Sequence, residues 1–267
     1  MNETLLEQKA DAKPTTQCAL CREYRKLSKS HVIPNSYFRA MKRSFNGKLV
    51  AMDSSPNTTA SLSQDSLDDY LLCSKCEGHF GKWETLWIRR LRQASKLFAK
   101  DIDEVPLSSF EYETFRCFLL SIIWRAAVCA RAEFSLVKLP DDVLESLRAD
   151  LHAGKVSEAA GIGNRIRKLV DPSEFLKHGD LEQFAATPMT FSSGGLVGYQ
   201  LFFGGYVVDF ITSKITRRVS RIRGFVRDEP TLRIPAVPCM QVKNFVRIGM
   251  HMIDKHVQGK ATFGGKT

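Results

Sequence analysis

Three short stretches of sequence decide the fold of this chain: CALC at residues 18–21, SHVIP at 30–34 and CSKC at 73–76. In each Cys-x-x-Cys motif, the two-residue spacer lets both thiolates bind one metal ion, and zinc prefers a tetrahedron of such ligands. The two motifs together complete a closed structural site, so we predict a zinc ion bound by Cys18, Cys21, Cys73 and Cys76. The histidine stretch lies between them and is expected to belong to the same metal-organised module.

Other roles for the paired cysteines agree less well with the sequence. Buried free cysteines usually occur singly, and the three remaining cysteines, which lie in apolar segments, are interpreted in this way: Cys117, Cys129 and Cys239. A disulfide framework is disfavoured because residues 1–9 are charged and unlike a signal peptide, which predicts a cytoplasmic protein with reduced thiols. A thioredoxin-type redox role is disfavoured because neither motif lies in a βαβ pattern.

The composition favours a polyanionic partner. The 267 residues include 39 Lys and Arg against 29 Asp and Glu, which gives a formal net charge of +10. Nucleic acid, DNA above all, is therefore the leading partner, ahead of an acidic protein or a lipid head group. The longest apolar run, residues 117–130, contains Arg125 and is too short to cross a bilayer, so no membrane partner is expected.

Residue patterns along the chain predict an α+β protein in three parts. Residues 1–17 are expected to form a loosely held arm, residues 18–85 the zinc module and residues 86–267 a larger body. Apolar residues recur at helical spacing from Phe80 to Phe98. A long amphipathic helix is therefore predicted to leave the second motif.

The body is predicted to be mostly helical, with a small antiparallel sheet towards its C-terminal end. The almost wholly apolar run at 115–134 predicts a buried central helix, and shorter helices are expected at 141–151 and 159–170. Residues 196–203 and 206–212 are rich in β-branched and aromatic residues and flank a Gly-Gly dipeptide. This pattern predicts a β-hairpin.

The order of the motifs resembles the zinc-knuckle branch of the HNH endonucleases. The resemblance covers residues 18–85, where Cys-x-x-Cys, SHVIP and an LLCxxC stretch that opens a helix follow one another. In that family a zinc-held ββα unit presents a histidine from its first strand as general base for water attack on a phosphodiester. The resemblance therefore implies a ββα module, DNA endonuclease activity with His31 as general base, and a setting in genome defence or a mobile element.

Members of this family use a second, divalent cation to stabilise charge on the phosphodiester. By position, the resemblance implies Asp68 and Glu77 as candidate ligands of a catalytic Mg²⁺ or Mn²⁺. Where active members usually carry Asp or His as a further ligand, this chain has Ser30, a weak ligand for a hard cation. The alternative function is therefore a catalytically degenerate zinc module that serves as a nucleic-acid-binding or protein-interaction platform.

Helix geometry leaves a structural alternative for the acidic residues after the second motif. Positions seven apart lie about 20° from a common direction on a helix, so Glu77 and Glu84 share a face beside the apolar stripe. A buried carboxylate must be paired, hydrogen-bonded or metal-bound. These two carboxylates could instead pair with Arg116 or Arg125 and so lock the module to the body.

A basic segment in the last quarter of the chain is a candidate nucleic-acid surface. Its positive side chains fall within residues 214–227 and are interleaved with apolar ones. Clustering of one sign on a chain already at +10 favours phosphate contacts, so we predict backbone binding by Lys214, Arg217, Arg218, Arg221, Arg223 and Arg227. Nothing in the segment encodes base recognition, and binding is expected to depend steeply on salt.

Overall fold

The computed structural model describes residues 15–44, 49–51, 61–63, 67–98, 102–157, 161–176 and 179–257. Within these ranges the chain is a mixed α+β protein, which agrees with the predicted class. Most of the predicted arm, residues 1–14, lies outside the described ranges. None of the helices within them is both long and apolar enough to cross a membrane.

The N-terminal part contains a three-stranded antiparallel sheet. Its strands are β1 (Thr15–Gln17), β2 (Tyr24–His31) and β5 (Asp68–Cys73), with β2 in the centre. Helix α2 (Ser74–Ser95) follows β5 without a connecting loop. The long helix predicted after the second cysteine motif is therefore present, and it begins inside that motif.

A helix and a two-stranded ribbon lie between β2 and β5 in the chain. The helix is α1 (Asn35–Ser44), and the ribbon pairs β3 (Leu49–Ala51) with β4 (Ser61–Ser63). Helix α1 begins directly after Pro34 and runs beside α2, with which it forms a cleft. The end of β2, and with it the SHVIP stretch, is therefore placed close to α2.

The body is built on a six-stranded sheet rather than a small one. Its strands in spatial order are β6 (Glu104–Ser108), β11 (Thr231–Pro238), β7 (Gly163–Val170), β10 (Tyr206–Ile211), β9 (Leu196–Phe203) and β8 (Ala185–Ser193). All neighbours are antiparallel except β7 and β11. The predicted hairpin is present as β9 and β10, but the expectation of a mostly helical body underestimates the sheet.

The main error concerns residues 159–170, which were predicted to be helical. Residues 163–170 form β7, which pairs with β10 on one side and β11 on the other. The alternation of Arg165 and Arg167 with the buried Ile166 and Lys168 fits a strand. Partners distant in sequence decide the conformation of so short and ambiguous a segment.

The sheet packs against helix α3 (Tyr112–Val128), which is buried on nearly every side. It ends six residues earlier than the predicted central helix, and a short 3-10 turn occupies Ala132–Phe134. Helix α4 (Asp141–Ala153) matches its prediction closely. The last helix, α5 (Lys243–Val257), packs through Phe245 against Phe202 of the sheet.

One apolar core extends from the zinc module into the body. The ring of Tyr37 in α1 packs 5.1 Å from that of Phe203 in β9. Gly204, in the turn after β9, has φ of +58°, and a Cβ atom there would lie only 2.2 Å from the Tyr37 ring. Glycine is therefore required at this turn both for its conformation and for contact with α1. The predicted division at residue 85 falls inside α2.

Candidate metal centre and adjoining histidine

The first cysteine motif forms a tight turn between β1 and β2. The N–H of Cys18 donates to the carbonyl of Glu23 (2.9 Å), and the N–H of Arg22 donates to the carbonyl of Cys18 (2.8 Å). Arg22 closes the turn in the left-handed region, with φ of +62°. This conformation is uncommon for a residue with a side chain, and here it lets the chain reverse directly after Cys21.

The second motif spans the junction between β5 and α2. Cys73 is the last residue of β5, and Cys76 lies in the first turn of α2. The N–H of Ala19 donates to the carbonyl of Leu71 (3.0 Å), and the N–H of Cys73 donates to the Sγ of Cys18 (3.3 Å). These two hydrogen bonds hold the first motif against the strand–helix junction.

The four motif cysteines converge on one point. Their Sγ atoms all lie within 4.8 Å of one another, and those of Cys21 and Cys73 are 4.0 Å apart. Tetrahedral zinc with Zn–S bonds of about 2.3 Å separates its sulfurs by about 3.8 Å, so the cluster fits such an ion with little adjustment. Within the described ranges it is the only group of three or more metal-binding side chains. Three further buried free thiols lie apart from it: Cys117, Cys129 and Cys239.

The thiols of Cys18, Cys21 and Cys76 differ in how readily they ionise. Burial opposes ionisation of Cys18, but backbone N–H donors from Cys21 and Cys73 outweigh it and lower the pKa of this thiol. Burial raises the pKa of the Cys21 and Cys76 thiols. Because zinc binds the thiolate form, metal binding is expected to release protons from these two cysteines.

The pairing of β2 with β5 connects the cysteine cluster to His31. The register places Leu27 opposite Cys73 and His31 opposite Asp68, at the other end of the same strand pair. The Nε2 atom of His31 lies 3.7 Å from the Oδ2 atom of Asp68. The side chains are 17% and 24% exposed, so solvent reaches both. Arg131 donates to the backbone carbonyl of Asp68 (3.3 Å) and ties this end of β5 to the body.

Ser30, directly before the histidine, is fully buried, and its hydroxyl makes two hydrogen bonds. Its hydroxyl accepts the N–H of Leu72 (3.2 Å) and donates to the carboxylate of Glu77 in the first turn of α2. Burial raises the pKa of Glu77; the charge of Arg125 and the hydrogen bond from Ser30 act in the opposite direction. The Ser30–Glu77 contact is therefore a link between β2 and α2.

Glu84, the second carboxylate on this face of α2, has a structural role as the partner of an arginine in the body. Glu84 forms an ion pair with Arg125 of α3, with an Oε1–Nη2 distance of 2.5 Å. The Arg125 side chain is buried, lies over the ring of Phe80 at 5.4 Å and donates to the carbonyl of Ser121. Arg116, the alternative partner, donates instead to the carbonyl of Ile162. The Glu84–Arg125 pair thus joins α2 to the body.

Asp68 and Glu77, the candidate ligands of a catalytic cation, have different partners. Successive side chains of a strand point to opposite faces, so Ser30 points towards α2 while His31 points away from it. Glu77 is hydrogen-bonded to Ser30 on the α2 side of the strand, and Asp68 lies beside His31 on the other side. The described side chains therefore do not place these two carboxylates in one preformed ligand cluster.

The basic segment at 214–227 lies in the connection between β10 and β11. Two of its apolar side chains, Ile215 and Phe225, pack over Gly163 at the start of β7. Among its basic side chains, Arg223 lies 3.7 Å from Glu104. Much of the segment is exposed, which is compatible with contact to a large ligand.

The two candidate regions lie at opposite ends of α3. Near its beginning, Arg116 donates to the carbonyl of Ile162 (2.9 Å), next to the strand on which the basic segment packs. Just past its end, the N–H of Ala130 donates to Asp69 (3.4 Å), the neighbour of the residue that faces His31. The helix of 17 residues is about 25 Å long at 1.5 Å per residue. The structure therefore does not bring the basic segment next to the histidine.

A second basic surface, which was not predicted, lies in the cleft between α1 and α2. The cleft has a volume of about 580 Å³, and its basic lining residues are Arg39, Arg89, Arg92 and Lys96. The helical spacing of Arg89, Arg92 and Lys96 in the sequence indicates that these three side chains share one face of a helix. The sequence did not predict α1, which forms the other wall, and so it did not predict the cleft.

Comparison of the chain with protein-family models, with curated proteins and with solved structures found no match.

Proposed function

We propose that this chain is a metal-dependent DNA endonuclease of the HNH type, with His31 as general base. The observation that carries the proposal is the placement of His31 at the end of β2, opposite Asp68 and on the same strand pair as the four-cysteine cluster. Two antiparallel strands followed directly by α2 agree with the ββα unit that the motif order implies. The formal net charge of +10 supports a nucleic-acid substrate.

The metal that would complete the cysteine cluster has a structural role in this proposal. When bound, zinc would cross-link the turn before β2 to the junction of β5 and α2. The thiolates that would hold it are those of Cys18, Cys21, Cys73 and Cys76. Because β2 is paired with β5 up to His31, the same cross-link would limit movement of the imidazole.

His31 would accept the proton of the water molecule that attacks the phosphodiester. The attacking oxygen forms a bond to phosphorus while the bond to the leaving oxygen breaks. Asp68 would orient the imidazole and stabilise its protonated form. The Nε2–Oδ2 distance of 3.7 Å is longer than a hydrogen bond. Catalytic contacts in unliganded enzymes are often long and shorten when the substrate binds.

Asp68 is the candidate ligand of a catalytic Mg²⁺ or Mn²⁺ that faces His31, whereas Glu77 is bonded to Ser30 on the other face of the strand. Their different partners exclude a closed cage between them, but magnesium is usually bound by one or two carboxylates together with water and substrate phosphates. The site is therefore compatible with a cation that binds together with the nucleic acid. Such an ion supplies stabilisation of the negative charge that develops on the phosphate.

One specific observation favours a second candidate function, a non-catalytic zinc module that binds nucleic acid or a protein. The Ser30 hydroxyl accepts one hydrogen bond and donates another to Glu77. A buried hydroxyl that joins β2 to α2 in this way acts as a structural link. In this alternative the cysteine cluster and the strand pair would remain, and catalysis would be absent.

Cleavage of supercoiled plasmid DNA in Mg²⁺ or Mn²⁺ distinguishes the two functions. The wild-type chain is expected to nick or linearise the plasmid. The rate of cleavage by His31→Ala is expected to be lower by a factor of about 100 or more, because a general base contributes at least this factor. The matched control is His152→Ala, which removes an exposed imidazole from α4 and should retain the wild-type rate.

Zinc content is measured for all three proteins, so that loss of fold is not mistaken for loss of chemistry. If the wild type retards DNA on a gel but leaves the plasmid intact in both metals, the nucleic-acid-binding alternative replaces the endonuclease. If DNA is neither cut nor retarded at low salt, where phosphate contacts are strongest, a protein partner is the remaining form of that alternative.

A further inference from the structure

The cleft between α1 and α2 is a charged surface that the proposed chemistry does not use. It has a volume of about 580 Å³. Its α1 wall begins four residues after His31. This wall of the cleft therefore starts close to the proposed site.

The protein neutralises little of the positive charge in this cleft. In the part of the chain that the structure describes, no ion pair involves three of the four basic residues: Arg39, Arg89 and Lys96. Arg92 donates to the carbonyl of Ser36 (3.0 Å), a neutral partner that leaves its charge uncompensated. The acidic lining residue, Glu84, is already paired with Arg125. The cleft therefore presents an excess of positive charge to solvent.

Gly81 lies in the cleft wall in the middle of α2, where glycine is a poor helix former. A Cβ atom at this position would meet no atom of the described residues within 4 Å, so their packing does not require glycine. The missing side chain lets a ligand approach the helix backbone closely. Gly78 is equally open, but it lines a different groove beside Lys75 and Lys82.

We infer that this cleft binds the sugar-phosphate backbone of the nucleic acid. The inference rests on the proposed function, which supplies the substrate. Arg89 and Lys96 are seven residues apart, so they lie on one face of α2 and are separated by about 10 Å along its axis. This separation lets the two side chains contact different phosphates.

The first test measures binding to a fluorescently labelled DNA duplex of two helical turns by anisotropy, without divalent cation and over a series of salt concentrations. The double variant Arg89→Gln/Lys96→Gln is expected to bind more weakly, with the slope of log K against log salt reduced by about 2. The matched control is Lys138→Gln/Lys155→Gln, which removes the same charge from two exposed positions of the body that line neither groove. This control should keep a slope close to that of the wild type.

Equal losses in the two double variants would overturn the inference, because net charge alone would then explain binding. A loss confined to the control would also overturn it and would assign DNA contact to the surface that carries Lys138 and Lys155. His31→Ala should bind DNA as the wild type does. If the cleft variants bind and cut like the wild type, the cleft inference fails while the endonuclease stands; if nothing cuts but the cleft variants lose affinity, the endonuclease fails while the cleft inference stands.

The second test uses the two open glycines of α2 as a matched pair. Gly81→Gln and Gly78→Gln should both raise the melting temperature, because glutamine is the better helix former. Only Gly81→Gln, whose side chain enters the cleft, is expected to weaken DNA binding severalfold. Wild-type affinity in Gly81→Gln, or an equal loss in Gly78→Gln, would contradict backbone binding in the cleft.

Discussion

The hydroxyl of Ser30 donates a hydrogen bond to the carboxylate of Glu77 and so joins the end of β2 to the first turn of α2. The HNH resemblance leads one to expect ligands of a catalytic cation at both of these positions, as well as at Asp68. In this protein Ser30 and Glu77 bind each other, while the next residue in β2, His31, faces Asp68. In the proposed endonuclease, His31 and Asp68 therefore have to supply the base and the protein's cation ligand without Ser30 and Glu77.

Removing this hydrogen bond should destabilise the fold. Ser30→Ala leaves the buried N–H of Leu72 without its acceptor and Glu77 without its donor. The free energy of unfolding is expected to fall by about 1–3 kcal/mol, measured by urea denaturation. Ser28→Ala, a partly exposed position on the same strand, is the control and should change stability by about 0.5 kcal/mol or less. Equal stability of the two variants would exclude a structural role for the hydroxyl.

The cysteine cluster should contain zinc in the purified protein. Elemental analysis is expected to find one zinc ion per chain, and Cys76→Ser should lose it, because three ligands do not complete a closed site. The melting temperature should fall by about 10 °C or more, since zinc binding contributes directly to folding. Cys239→Ala, which removes a buried free cysteine outside the cluster, should keep its zinc. A zinc-free wild type with an unchanged fold would contradict this assignment.

The Glu84–Arg125 pair should hold α2 against α3. Arg125→Met is expected to lower the free energy of unfolding by about 3–5 kcal/mol, because it leaves carboxylates without their buried partner. The double variant Arg125→Met/Glu84→Gln should recover part of this loss. A double-mutant cycle from chemical denaturation measures the coupling, and strictly additive effects would show that the two side chains do not interact.

Asp68 should act on the rate of cleavage and not on the affinity for DNA. Asp68→Asn keeps the size of the side chain but removes the charge that faces His31. We expect kcat to fall about 10-fold or more with KM unchanged, as for loss of an interaction made only in the transition state. Asp69→Asn removes the same charge from the next residue, whose carboxylate instead accepts the N–H of Ala130, and should retain kcat. A change confined to KM in Asp68→Asn would point to substrate binding.

The buried Lys168 gives the protein a pH-dependent contact between α2 and the sheet. Its Nζ lies 2.7 Å from Glu182, which also accepts the hydroxyl of Ser95. Burial opposes ionisation of Glu182, but the hydrogen bond from Lys168 and its positive charge, with a smaller contribution from Ser95, outweigh it and lower the pKa of the carboxyl. A carboxyl with a lowered pKa in the folded state stabilises the fold above its ordinary pKa, and this contribution is lost as the pH falls.

Glu182→Gln is therefore expected to destabilise the protein at pH 7 by about 1 kcal/mol, a modest effect because the carboxylate is partly exposed and screened by solvent. The difference from the wild type should shrink as the pH falls below the ordinary pKa of a glutamate carboxyl. Urea denaturation at a series of pH values measures it. A difference that stays constant from pH 7 to pH 3 would show that the ion pair does not contribute.

Local chemistry explains which features were predictable. The spacing of the cysteines, the helical period that begins at Phe80 and the Gly204-Gly205 dipeptide each act over a few residues, and each led to an element that is present. Strand β7 was mistaken for a helix because its short pattern fits both periods. Its conformation is decided by β10 and β11, which lie about 40 and 65 residues further along the chain.

The amino-acid sequence by itself determined the two pairs of thiols, because each pair follows from a two-residue spacer, and its motif order singled out His31. Only the tertiary structure decided the partners of the neighbouring side chains. The register of β2 against β5 places Asp68 opposite His31, and the start of α2 places Glu77 against Ser30. The cleft between α1 and α2 likewise exists only in the folded chain. Contacts between residues more than 30 positions apart depend on strand register and helix packing, which no local pattern in the sequence encodes.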